Sequence, residues 1–108
     1  MVDLDPARGS EANKRRPAVI VSNDGANSTA ERLNRGVITV VPVTSNVSRV
    51  YPFQVFLPAT ECGLPSDSKA QAEQVRTVPI ERIGRRVGQL TAPLLAELDE
   101  ALRLHLAL

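Results

Sequence analysis

Three polar stretches hold the side chains best placed to do chemistry. They are Arg8-Gly9-Ser10-Glu11-Ala12-Asn13-Lys14-Arg15-Arg16-Pro17, Pro42-Val43-Thr44-Ser45-Asn46 and Glu73-Gln74-Val75-Arg76-Thr77. Each falls at a strand end or in a loop beside a strand, where binding and catalytic groups concentrate. Elimination narrows what they could do. The chain has one cysteine, Cys62, and one histidine, His105, too few for the three or four ligands of a zinc site. A two-histidine ribonuclease mechanism is excluded by the same count. A Ser-His-Asp triad would have to use His105, beside Leu104 and Leu106 in an apolar-periodic segment that gives it a structural reading. No glycine-rich phosphate loop of the P-loop or dinucleotide type is present. The expectation is a site without metal or cofactor.

Taken one at a time, these residues have plain readings as well. Arg16, before Pro17 at a strand start, would alone be a solvated surface residue, and Thr44 an ordinary strand residue. Lys14, Arg15 and Arg49 are phosphate contacts or simply solvated charges. Ser45 and Asn46 read bases through hydrogen bonds or only cap a turn. Gln74 and Arg76 touch a ligand or form the outer face of an alternating strand. Tyr51 and Phe53 could stack a base, with a core role favoured for Phe53. Cys62 reads as a loop residue with no redox partner.

The elements that must position these groups follow from periodicity and turn signals. Val2 to Asp5 is the stub of a strand, followed by a loop from Pro6 to Arg16. Pro17 to Ser22 is a short β-branched run bounded by turn formers, which predicts a buried strand. Asn23 to Gly36 is polar, with a short surface helix around Ala30 to Leu33. Gly36 to Thr44 is the clearest strand in the chain. A loop from Ser45 to Pro52 leads to a strand at Phe53 to Leu57. Pro58 to Asp67 is a connection, Ser68 to Val78 one or two strands, Pro79 to Gly84 a turn and Arg85 to Leu90 a last strand. Thr91 is a natural N-cap with Pro93 in the first turn. Leu94, Leu95, Leu98, Leu102 and Leu106 then recur at helical spacing, opposite Glu97, Asp99, Glu100 and Arg103. Short strands closed by one helix predict a mainly β, α+β fold built as a small barrel-like sheet, not a parallel α/β fold.

The 108 residues are about one domain's length, 43% hydrophobic, with no Trp, one Tyr and two Phe. Such a chain buries a limited fraction of its surface, so pairing with a second copy would help its stability. The formal net charge is +1, from 13 basic and 12 acidic side chains, so overall charge does not announce a polyanion binder. The distribution is polarised: Arg8, Lys14, Arg15 and Arg16 gather near the start, and Glu97, Asp99 and Glu100 near the end. A lone cysteine, no membrane-length apolar run and acids at the extreme N-terminus predict a cytoplasmic protein.

The ordered set of all three polar stretches resembles the MazF/PemK family of toxin endoribonucleases. That family carries a Gly-Ser-Glu loop leading to Arg-Pro at a strand start, then a Thr-Ser-Asn-like strand end. Here Asp67-Ser68 and Glu73-Gln74-Val75-Arg76-Thr77 also fill its Asp-Ser…Glu-Gln-[Ile/Val]-Arg-Thr pattern. The resemblance covers nearly the whole chain, to the helix ending Leu102-Arg103-Leu104-His105-Leu106. The chain departs from the pattern at its start, where the family has a few more residues, including an Arg-Gly, before the first strand.

The resemblance implies an SH3-like barrel of the CcdB/PemK type, a homodimer, and a MazE-like antitoxin that blocks the RNA channel. It implies cleavage of single-stranded RNA at short motifs, leaving a 2′,3′-cyclic phosphate and a 5′-hydroxyl. It carries the two catalytic roles to Arg16 and Thr44. RNA brings its own nucleophile, the 2′-hydroxyl, so such an enzyme need only hold in-line geometry, assist proton transfer and stabilise phosphorane charge. A planar arginine donor and a threonine hydroxyl suit that phosphate. Glu11 is a candidate for proton transfer by chemistry alone, and Ser10, Asn13, Lys14, Arg15, Ser45, Asn46, Arg49, Gln74 and Arg76 are candidate RNA contacts. Two other functions stand beside this one: a CcdB-like gyrase-poisoning toxin, and a barrel that binds RNA without cutting it.

Overall fold

In a computed structural model of the chain, the residues described are 2–4, 16–22, 33 and 36–108. Seven strands form one sheet system in which every pairing is antiparallel. They are β1 (Val2–Leu4), β2 (Arg16–Ile20), β3 (Val37–Thr44), β4 (Gln54–Leu57), β5 (Ser68–Gln71), β6 (Arg76–Pro79) and β7 (Ile83–Arg86). Among the described residues they are accompanied by the helices α1 (Ala59–Cys62) and α2 (Ala92–Leu106). The strand order is β4-β5-β3-β2-β1-β7, with β6 also on β3.

The organising element is β3, the long apolar strand. One edge pairs with β2. Beyond that, Val37 to Val40 pair with β6, and Val43 and Thr44 pair with β5. Pro42, which brings no N–H to the ladder, falls in the gap between the β6 and β5 pairings. Alternation along β3 then serves two packed clusters. Val41 and Val43 join the larger core with Val19, Val55, Leu57, Cys62 and the α2 residues Leu94, Leu98 and Ala101. Ile38 and Val40 point the other way, into a smaller cluster with Ala18 and Val78 that Ile20, Ile80 and Ile83 border. Leu57, Leu98 and Val41 are fully buried, and each contributes about 1.5–3 kcal/mol by leaving water.

The helix at the C-terminus starts as its sequence predicts. Thr91 has extended backbone, and its hydroxyl accepts a long hydrogen bond from the Leu94 N–H at 3.4 Å. Its buried face differs from the leucine periodicity, because it is Leu94, Leu98 and Ala101 that are buried. Leu95 and Leu106 stand exposed, and Leu102 is half-buried. At about 100° per residue, Leu95 and Leu106 lie off the stripe that Leu94, Leu98 and Ala101 define. His105 is near the stripe, yet exposed at the helix end.

Four further expectations are corrected. The connection from Pro58 to Asp67 contains α1, and Cys62 sits inside that helix, 1% exposed in the main core, not in a loop. Glu73 and Gln74 lie in a 3₁₀ turn, Ala72–Gln74, which splits β5 from β6. The last strand begins at Ile83, two residues early, and ends at Arg86. Phe53 is half-buried and outside both core clusters, edge-to-face against Tyr51 at 5.4 Å between ring centroids. The surface helix expected around Ala30 lies outside the described residues apart from Leu33, which is exposed.

Candidate functional site

Antiparallel register places the candidate residues on β2 and β3. β2 and β3 pair as Ala18↔Pro42, Val19↔Val41 and Ile20↔Val40. Both strands continue past those pairs, to Arg16 and Thr44. Two more steps of the same register set Arg16 opposite Thr44. On the other edge Thr44 pairs with Lys69 of β5, and Lys69 pairs with Phe56 of β4. Residues directly opposite one another share a face, with Cβ atoms roughly 4.5–5.5 Å apart. Phe56, Lys69, Thr44 and Arg16 thus form a row across four strands, on the face away from Val43, Val55 and Ala70 of the main core.

Arg16 is exposed and Thr44 half-buried, so both stand at the rim of the sheet, open to a ligand. Beyond Thr44 the chain runs into an anchored loop. The Thr44 hydroxyl accepts from the Asn46 N–H at 3.3 Å. The Asn46 side-chain oxygen accepts in turn from the Ser48 N–H at 3.3 Å and the Ser48 hydroxyl at 2.9 Å. These short-range bonds are the turn chemistry that Ser and Asn supply. In the middle of the loop, Lys69 Nζ donates to the Arg49 carbonyl at 2.6 Å. At its far end the Tyr51 N–H donates to Gln54 Oε1 at 3.1 Å, and Gln54 Nε2 donates to Glu73 Oε2 at 2.8 Å. The other Glu73 oxygen is buried without a hydrogen-bond partner.

Charge and aromatic surface gather on this loop. The Arg49 guanidinium lies 5.6 Å from the Tyr51 ring centroid and donates to the Tyr51 hydroxyl at 3.3 Å. Lys69 Nζ lies 5.8 Å from the same ring. Both separations fall within cation–π range.

The structure therefore unites Arg16, Thr44, Ser45, Asn46 and Arg49 around one end of β3. Gln74 and Arg76 are exposed but farther away. Arg76 opens β6 opposite Val40, four positions before Thr44 and so about 13 Å along the strand. Ser10, Glu11, Asn13, Lys14 and Arg15 lie outside the described residues. Among the described residues, no three His, Cys, Asp or Glu side chains gather where they would hold a metal ion. Sequence reasoning passed over Lys69 and Gln54. Their roles depend on partners 20 and 19 residues away, which no local pattern reveals.

The family described as PemK-like, MazF-like toxin of type II toxin-antitoxin system matches residues 1–106. Endoribonuclease MazF9 of Mycobacterium tuberculosis is 68% identical over 107 residues, covering 99% of this chain and 91% of that protein. The structure of the M. tuberculosis toxin MazF-mt6 superposes with a TM-score of 0.77 at 24% identity, over 100% of this chain and 98% of that one. A MazE-MazF crystal structure from Deinococcus radiodurans gives a TM-score of 0.76 at 28% identity, over 99% and 90% of the two chains. The antiparallel sheet closed by a C-terminal helix is thus the CcdB/PemK-like fold.

Proposed function

The chain belongs to the PemK-like, MazF-like toxins of type II toxin–antitoxin systems, and from that premise we propose that it is an endoribonuclease cutting single-stranded RNA at short motifs. The observation that supports the site assignment is the β2–β3 register, which ends at Ala18↔Pro42 and, continued by two residues along both strands, brings Arg16 opposite Thr44. The 2′-hydroxyl of one nucleotide attacks the adjacent phosphorus, and the bond to the 5′-oxygen of the next nucleotide breaks. A 2′,3′-cyclic phosphate and a 5′-hydroxyl result. Arg16 donates to the non-bridging oxygens as charge builds on them, and the Thr44 hydroxyl adds a second donor. Two proton movements accompany the step: one leaves the 2′-hydroxyl and one reaches the departing 5′-oxygen. A guanidinium stays cationic and is a poor base, so Arg16 serves as phosphate donor and acid, and Glu11 is the candidate base.

Ser10, Asn13, Lys14, Arg15, Ser45, Asn46, Arg49, Gln74 and Arg76 are proposed to flank the strand of RNA. MazF pairs with MazE in the Deinococcus complex. By that likeness this chain is proposed to be a homodimer held by a MazE-like antitoxin, whose acidic and apolar tail competes for the basic groove. No described helix is long and apolar enough to cross a membrane. A site of action in the cytoplasm, where RNA is translated, fits the reading.

The test is to incubate the purified protein with a long single-stranded RNA in excess EDTA and map new ends by primer extension. Discrete cuts at a recurring motif with 5′-hydroxyl ends are expected, and their absence with Arg16→Ala. Intact RNA with folded, antitoxin-free protein would overturn the reading. A supercoiling assay and an RNA-binding assay would then separate a gyrase poison from a binding module.

A further inference from the structure

Lys69 is a buried residue whose side chain carries a charge. It is 8% exposed, and lysine is almost never fully buried unless paired. Its partners here are a main-chain carbonyl, that of Arg49 at 2.6 Å, and the ring of Tyr51 at 5.8 Å. Desolvating an ammonium costs several kcal/mol, and an apolar residue often fills such a place at less cost. Stability alone therefore gives little reason for a lysine at this position. What the ammonium supplies is direction, because a charge-assisted hydrogen bond fixes both the distance and the angle of the carbonyl it holds.

The carbonyl it holds belongs to the loop that begins one residue after Thr44. Lys69 itself pairs with Thr44 across the sheet. Its Cβ is thus fixed beside the Thr44 Cβ, while its Nζ fixes the loop at Arg49. The Arg49 guanidinium bonds to the Tyr51 hydroxyl and lies against the same ring that Lys69 touches. Arg49 and Tyr51, both exposed at the surface, are therefore tied through one buried ammonium to the strand that faces Thr44. Such a pair fits a nucleotide well, since an aromatic ring stacks on a base and a guanidinium meets a phosphate.

We propose that Lys69 is a positioning residue that acts through the Arg49 carbonyl and the Tyr51 ring to seat a nucleotide flanking the scissile phosphate, and so helps set which motif is cut. The proposal rests on the reading that Arg16 and Thr44 hold that phosphate. Lys69 touches neither the phosphate nor the attacking hydroxyl. Its loss loosens the seat and leaves the reacting groups in place.

The experiment compares the full-length wild-type protein with Lys69→Met, Lys69→Arg, Tyr51→Leu and Thr44→Ala. Each is checked for folding by thermal melt. Each is then assayed for cut-site distribution on a long single-stranded RNA and for KM and kcat on a short cleavable oligonucleotide. In Lys69→Met, KM is expected to rise about tenfold with kcat falling less than about threefold, the pattern of lost binding and not of lost transition-state contact. Its preference among cut sites flattens as well. Lys69→Arg, which keeps a cationic donor, recovers the preference in part. A folded Lys69→Met protein with unchanged KM and cut sites overturns the proposal. Should Lys69→Met not fold, Tyr51→Leu carries the test. It removes the ring without burying a new group, and unchanged cut sites in that variant overturn the proposal equally. Thr44→Ala keeps the two ideas apart. If it cuts at the normal rate, the site reading falls and the positioning role falls with it. If it is inactive while Lys69→Met behaves as wild type, only the positioning role falls.

Discussion

The hydroxyl of Thr44 serves two masters, a loop N–H and a proposed phosphate, and substitutions separate them. Its Oγ1 accepts from the Asn46 N–H, which leaves its proton free to be donated to an anion. Thr44→Val keeps the β-branched shape that suits a strand but removes both functions. Cleavage is expected to fall by about 10²–10³ in kcat, the usual cost of one lost transition-state donor. Thr44→Ser restores the hydroxyl and should retain most of the activity. Equal rates for Val and Ser variants in single-turnover cleavage would remove the hydroxyl from the mechanism. Arg16→Lys asks the matching question of the planar fork, since lysine keeps the charge and loses the bidentate geometry. A loss comparable to Arg16→Ala is expected, with an unchanged melting curve because Arg16 is exposed. Cys62 carries a different residue-scale prediction. Burial pushes its thiol pKa up, with the neighbouring Glu61 adding to the shift. The folded protein therefore holds that proton more tightly than the unfolded chain does. The resulting stability is fully present below the ordinary thiol value of about 8.5 and is lost as pH rises toward the folded value. Denaturation midpoints between pH 7 and pH 10 should fall more steeply for wild type than for Cys62→Ala, and parallel slopes would deny the effect.

Among the elements, α2 shows how far periodicity carries and where it stops. Leu94, Leu98 and Ala101 meet the sheet, whereas Leu95 is 43% exposed. Leu98→Ala should cost about 2–5 kcal/mol, because a fully buried leucine leaves a cavity, while Leu95→Ala should stay within about 0.5 kcal/mol. Chemical denaturation of both variants checks the assignment of the face. The strands and the N-cap at Thr91 were legible because alternation and capping are local signals. The helix α1 was not, since four residues give no period to read. Its punctuation was nonetheless present, with Pro58 before it and Gly63 after it in the left-handed region at φ 73°. As candidates, Arg16 and Thr44 stand out only as members of an ordered set of motifs, and their proposed juxtaposition needs the strand pairing, which no local signal carries. Lys69 and Gln54 stayed hidden because β5 can look alternating without showing which strand it will join. Gly88 belongs to the same class. A Cβ there would stand 2.2 Å from the Cys62 carbonyl oxygen, a backbone atom. Gly88→Ala must force the segment before α2 away from the end of α1, and the midpoint of denaturation should drop well beyond the ordinary range of about ±0.5 kcal/mol for surface changes.

For the whole molecule, the near balance of charge is the feature that limits how RNA is held. Thirteen basic side chains stand against twelve acidic ones, so no large net charge draws a polyanion from a distance. Among the described residues, an acidic set on α2 and two basic side chains on the sheet lie on different faces of β3. Glu97, Asp99 and Glu100 ride on α2, which covers the face of β3 that carries Val41 and Val43. Arg16 lies in the row with Thr44 and Lys69 on the opposite face, and Arg76 opens β6 opposite Val40, which points to that face too. If RNA is met mainly by the described basic side chains of that face, it is held through few phosphates. Single strands release about 0.7 counterion for each phosphate neutralised. If three to five phosphates are met, the logarithm of the association constant should fall against the logarithm of salt with a slope of about −2 to −3.5. A short RNA bearing a 2′-deoxy group at the cut site, which removes the nucleophile, lets this be measured without cleavage. Arg76→Ala should make the slope shallower by about 0.7 and leave the choice of cut site alone, as expected of a residue that meets backbone and not bases. A slope near zero would mean that the groove is read through bases and stacking alone. A slope far steeper than the described basic side chains supply would mean that a second copy of the chain contributes to the same groove.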